Sequence, residues 1–201
     1  MERIAGTDAS YSGDFAAACV VVVDYPSLRE EVRAAATSRA VAPYVPGYFA
    51  FREIPVLLAA FRLLPELPDV VLVHGHGYAH PRRAGIATHL GAVLGVPTIG
   101  VAGSLLRGME AVPPGNTRGA MSAVTMGGEV VGVLWRPGEG KRPVCISAGY
   151  RVTLPAAIDV VARCTRDHGL PEPLFLADLH ARRFLGAVRR ARGEGGEPAT
   201  G

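Results

Sequence analysis

The stretch "DVVLVHGHGYAHPRRAGIATHLGAVLGVPTIGVA", residues 69–102, decides the fold. It opens on an apolar run, Val70 to Val73, flanked by turn-forming residues, which marks a central strand buried on both faces. A glycine-rich turn follows, a helix is expected over about residues 83–94, and VPTIGVA supplies a second buried strand. Strand, helix, strand in this order is a parallel crossover unit. Open sheets of this kind bind ligands at the carboxyl ends of their strands. Four histidines, His74, His76, His80 and His89, lie in and around that turn.

Working outward, RIAGTDASY and FAAACVVVVDY read as two strands joined by the SGD turn, a hairpin. REEVRAAATSRAVAP is ambiguous: its Ala and Glu favour helix, while its spacing suits a third antiparallel strand if tertiary pairing overrides propensity. FAFREIPVLLAAFRLLPEL carries helical spacing, with Pro55 near the first turn. Beyond the crossover unit, AVTMGGEVVGVLW reads as a hairpin turning at Gly127-Gly128, RPVCISAGY as a strand, and TLPAAIDVVARCT as a helix capped by Thr153. The fold class is α/β: a central mixed five-stranded sheet, antiparallel strands first and parallel strands later, flanked by helices, plus a small β-hairpin.

A chain of 201 residues builds one well-buried core and is short for two. We expect a single domain over residues 1–190 and a solvated tail over 191–201, since apolar periodicity fades from Arg182 on and the end is rich in Gly, Glu and Pro. The net charge of +3 is compatible with a phosphate-bearing partner without requiring one. Cys19, Cys145 and Cys164 are odd in number, widely spaced and set in apolar runs, and no CxxC pair offers zinc. This usage suits a reducing compartment. No signal core and no membrane-length apolar stretch is present, so the expected location is the cytoplasm, with no membrane partner.

Three residues stand out for chemistry. Asp8 lies near the end of the first strand, Glu53 at the start of a helix and His74 at the end of a central strand. Each has an ordinary reading: a turn-capping aspartate, a glutamate complementing the helix dipole, a satisfied core histidine. Brought to one sheet edge, two carboxylates and an imidazole form a candidate set for a divalent cation, the imidazole shifting preference from magnesium toward manganese, iron or zinc. The loop GHGYAHPRR, opening a helix, is in turn a candidate seat for a phosphate or a flat polar ligand.

The segments IAGTDASYSGD, PYVPGYFAFREIP, VVLVHGHGYAHPRRAGIATHLG, VPTIGVAGSLLRG, ISAGYRVTLPAAIDVVARCT and LPEPLFLAD together resemble the endonuclease V family, in order and over nearly all of residues 4–178. The resemblance implies an RNase H-like fold and a hydrolase of DNA repair type, a nuclease that cuts DNA or RNA near a deaminated purine, inosine above all. It also implies a divalent metal, Mg or Mn, held by carboxylates; His74 admits Fe or Zn as well. By matching position Asp8 and Glu53 are metal carboxylates with a catalytic role. Tyr44, between Pro43 and Pro46, is the wedge, and Gly47, Gly75, Gly77 and His80 line the base pocket.

Three departures accompany this resemblance. His74 stands where a "VDGxG" string has its third carboxylate, Gly103 where "GVAKS" has its lysine, and Tyr150 where "SxGHxxSL" has its histidine. The chain also starts a few residues before its first strand, so the leading helical segment common in the family is expected to be missing. The metal set is therefore expected to be Asp8, Glu53 and His74, with Tyr150 on the substrate side, and nuclease activity to be reduced or lost. The alternatives are a non-catalytic binder of inosine-containing nucleic acid or a nucleoside-like small molecule, and a repurposed metalloenzyme acting on a small molecule. A second protein chain is one possible source of the missing groups.

Overall fold

The computed structural model describes residues 1–39 and 49–192. The chain opens with three long strands, β1 (Arg3–Ser12), β2 (Phe15–Asp24) and β3 (Glu30–Arg39). β1 and β2 form the expected hairpin, paired antiparallel from Arg3↔Asp24 to Ser12↔Phe15. The ambiguous Ala-rich segment is strand β3, paired antiparallel to β2 from Phe15↔Arg39 to Val23↔Glu30. Cross-strand pairing outweighs the helical preference of its alanines.

α1 (Phe49–Phe61) leads to β4 (Val70–His74), then α2 (Ile86–Leu94) and β5 (Thr98–Ala102), the anticipated crossover unit. β4 pairs parallel with β1 and with β5. Pro55 lies in the interior of α1 rather than in its first turn. The hairpin β6 (Met121–Met126) and β7 (Glu129–Trp135) turns at Gly127 and Gly128, both at positive φ. β8 (Val144–Tyr150) returns antiparallel against β5, α3 (Leu154–Cys164) is capped by the Thr153 side chain, and α4 (Glu172–Ala191) ends the described chain.

All eight strands join one sheet, in the order β3-β2-β1-β4-β5-β8-β7-β6. Five strands and a separate hairpin were expected. The hairpin instead pairs through Val133↔Ile146 to Trp135↔Val144, satisfying the N–H and C=O groups that β8 would otherwise present as an open edge.

Helices cover both faces. The period-2 alternation of the strands sends Ile4, Val21, Leu72, Ile99 and Ile146 toward α3 and α4, and Ala5, Val20, Val22, Val71 and Val73 toward α1 and α2. Fully buried side chains such as Leu72, Ile99 and Leu174 each contribute about 1.5–3 kcal/mol. α4 approaches β1 closely at Gly6, where any Cβ would collide with the backbone of Pro173. α4 runs to Ala191, its apolar side marked by Leu174, Ala177, Ala181 and Leu185. Residues 193–201, most of the expected tail, lie outside the described residues. Among the described residues no helix is long and apolar enough to cross a membrane.

Candidate active site

The strand register builds the site. Gly6 pairs with Leu72 and Thr7 with Val73, so the next positions along these parallel strands are Asp8 and His74. Counting in twos from Ile4 and from Leu72, both side chains emerge on the α4 face of the sheet. They meet there: His74 Nδ1 lies 3.1 Å from Asp8 Oδ2. The other carboxylate oxygen of Asp8 accepts the Ala9 N–H at 2.9 Å. The hydrogen bond to Asp8 raises the His74 imidazole above its ordinary pKa, against the opposing effect of burial. The charged form is thereby favoured.

Glu53 reaches the same edge from α1, on the opposite face, and is 4% exposed. Burial first, and the charge of Asp8 second, push its carboxyl up to about 8, while the Tyr11 hydroxyl and Arg52 oppose the shift. Arg52 lies over the Tyr11 ring, 4.8 Å from its centroid.

Sequence reasoning missed the contribution of α4. Asp178 and Arg182 sit one turn apart, and their charges reach His74; that of Arg182 also reaches Asp8. The Arg182 Nε donates to Asp178 Oδ1 at 2.6 Å and its Nη2 donates to Oδ2, a two-pronged pair. The signal was legible in PEPLFLADLHARRFL, where Leu174, Ala177, Ala181 and Leu185 repeat at helical spacing after a Pro-Glu-Pro start.

The glycine-rich loop folds back from β4 over the sheet. Gly75 has φ +152°, and an added Cβ would strike Ile86 of α2. Gly77 presses on β8, its N–H donating to Ser147 Oγ at 2.9 Å, and a Cβ there would collide with the Ala148 carbonyl. His76 is buried, its Nε2 3.0 Å from the Ser104 carbonyl, and burial lowers its pKa. His80 accepts the Arg82 N–H at Nδ1, 3.2 Å away, and burial, followed by the charges of Arg82 and His89, lowers its pKa. Its proton therefore belongs on Nε2 in a neutral ring.

Gly103 follows directly on β5, whose Val101 pairs with His74, so it lies at the same edge. A Cβ added there meets nothing within 4 Å. Tyr150 is not brought to this edge. It pairs with Thr98, three residues down β5 from Val101, roughly 10 Å along the strand, and packs beneath Gly91 of α2. Its chain position after an antiparallel strand sends it to the far end of the sheet. Tyr44, Pro46 and Gly47 lie outside the described residues.

A family model described as Endonuclease V matches residues 1–179. The chain belongs to the endonuclease V family. An endonuclease V of Roseiflexus sp. (strain RS-1) is 47% identical over 181 residues, spanning 90% of this chain and 81% of that protein. The endonuclease V structure from Streptomyces avermitilis superposes with a TM-score of 0.88 at 39% identity, covering 92% of this chain and 82% of that one. A Ciona intestinalis endonuclease V, 28% identical with a TM-score of 0.82 over 93% of this chain and 86% of that one, was solved in complex with a 23mer DNA containing an inosine followed by a ribo-adenosine. The expected family and its RNase H-like α/β fold are thus in place.

Nucleases of this family normally depend on a divalent metal, which invites a test of the donor set here. Among the described residues, no three His, Cys, Asp or Glu side chains stand as a group able to hold a metal ion. Asp8 is engaged by the very ring nitrogen of His74 that faces it, and a nitrogen donating to that carboxylate is not free to ligate beside it. Asp178 is taken up by Arg182. As arranged, these residues do not fit the hard, carboxylate-rich shell that magnesium requires.

Proposed function

We propose that this chain recognises a deaminated purine, inosine foremost, in a nucleic-acid strand, and that its power to hydrolyse that strand is reduced or lost. The observation that carries this reading is the 3.1 Å contact between His74 and Asp8, an imidazole seated where a nuclease of this family would present a third carboxylate. The scaffold around it is intact: the loop from Gly75 to His80 is pinned to β5 by the Gly75 N–H on the Val101 carbonyl, and to β8 through Gly77 and Tyr78.

Hypoxanthine differs from adenine in offering a carbonyl acceptor where adenine has an amine donor. His80, with its proton on Nε2, supplies a donor of the matching sense, and Gly75 and Gly77, packed without side chains against Ile86 and the Ala148 carbonyl, hold the loop that carries it. By its resemblance to the family's wedge, Tyr44, flanked in sequence by Pro43 and Pro46 and followed by Gly47, would hold the strand open. Hydrolysis, by contrast, needs charge stabilisation on the attacked phosphate and an activated water. Asp8 is engaged by His74, and Gly103 brings no cation.

Single-stranded oligonucleotides differing only in inosine or adenosine at one position test this. Retention of the inosine strand without cleavage above a protein-free blank, with the preference lost in His80→Ala, is the expected result. Equal retention of both strands defeats the recognition half, and multiple-turnover cleavage of the inosine strand defeats the other.

A further inference from the structure

Both aspartates at the acidic edge already meet donors from their own chain. Asp8 takes the Ala9 N–H and His74 Nδ1, and Asp178 takes both prongs of Arg182. We infer that Arg182, together with His74, stands in for the divalent cation, so that the pocket is neutralised from within and accepts a phosphodiester without a metal ion.

The charges argue for this. An imidazole at position 74 in place of a carboxylate removes one negative charge from the shell, and the guanidinium of Arg182 offsets another. That guanidinium keeps its proton at any accessible pH, so its charge is permanent. It sits one helical turn beyond Asp178, held through two parallel hydrogen bonds rather than one, and its side chain as a whole is 68% exposed, within reach of an arriving strand. A divalent cation entering among these groups would face that fixed positive charge and would have to strip Asp8 from His74 and Asp178 from Arg182. An anionic phosphate meets the opposite balance.

The inference rests on the strand-recognition reading for its ligand, but its metal arm stands alone. The full chain is titrated with Mn2+ alone and free Mn2+ is followed by electron paramagnetic resonance; the wild type is compared with Arg182→Gln, His74→Asp and the double variant, with circular dichroism confirming that each is folded. The double variant is expected to take up Mn2+ about tenfold more tightly than the wild type. In the second arm, retention of an inosine-containing strand by the wild type is expected to be the same in EDTA as in Mn2+, and Arg182→Gln to weaken it about fivefold in EDTA, with Arg182→Lys recovering part of the loss. Wild-type uptake of Mn2+ as tight as that of the double variant overturns the inference, as does release of the strand by EDTA. If the wild type retains no strand under either condition, the recognition reading fails, and the Mn2+ comparison by itself still decides whether the chain carries its own counter-charge.

Discussion

His74 ends β4 beside Asp8, so an imidazole at this one position turns what would be a repulsive carboxylate pair into a hydrogen-bonded one. Gly103 lies at the same edge with open space where a side chain would begin. Reversing both departures in the double variant His74→Asp, Gly103→Lys should therefore raise Mn2+-dependent cleavage of an inosine strand by about a hundredfold or more over the wild type, read from gel-resolved product. No gain would mean that these two positions are not what limits hydrolysis. Glu53 gives a pH-dependent counterpart. Its native pKa is about 8, against an unfolded value near the ordinary glutamate one, so between those values the folded chain binds a proton the unfolded chain has lost. Stability then falls as pH rises through that window and levels off above it. In metal-free buffer, Glu53→Gln should flatten that decline and leave the protein more stable than wild type at pH 9, by an amount on the order of a few kcal/mol, measured as Tm across pH.

At the scale of elements, the loop between β4 and α2 is tied to the β6–β7 hairpin. The Tyr78 hydroxyl donates to Glu129 at 2.6 Å, Arg83 donates to the same carboxylate at 2.8 Å and to the Met126 carbonyl at 3.0 Å, and Arg83 itself sits at φ +54°. A non-glycine residue in that left-handed region needs surrounding contacts to hold it. Glu129→Ala is expected to speed amide hydrogen exchange across residues 75–85 while leaving the strands of the sheet as protected as before. Uniform exchange in both proteins would count against the hairpin as a brace. Gly77→Ala attacks the loop from its other side: the added methyl runs into the Ala148 carbonyl, and a cost of about 1–3 kcal/mol is expected in urea unfolding, with loss of inosine-strand retention.

For the molecule as a whole, α4 closes one face of the sheet and also delivers Asp178 and Arg182 to its edge, so core packing and site geometry are joined. Leu174 is 1% exposed at the start of that helix. Leu174→Ala should cost about 2–5 kcal/mol in denaturant unfolding. It should also weaken strand retention more than an equally destabilising change in α3, because α3 brings no charged group to the site. Equal effects from the two faces would separate α4 from the binding edge.

Sequence alone determined what is encoded locally. The apolar run Val70–Val73, the Gly-rich turn and the VPTIGVA strand prescribed a crossover unit because strand period and turn chemistry act over a few residues. The same reading found His74 at a strand end; it set Asp8 near the end of the first strand, whereas β1 runs on past it to Ser12 because β2 continues to supply partners. It left β3 undecided, since Ala-rich sequence is claimed by helix until a neighbouring strand supplies hydrogen-bond partners. It overlooked most of α4, whose helical stripe of Leu174, Ala177, Ala181 and Leu185 is interrupted by arginines on its outward side. Only the tertiary structure decided that His74 meets Asp8, that Arg182 carries its charge into their surroundings, and that Tyr150 is drawn to the far end of the sheet. These follow from register and from the docking of a helix well over a hundred residues downstream of β1, relations between distant segments that no local pattern specifies.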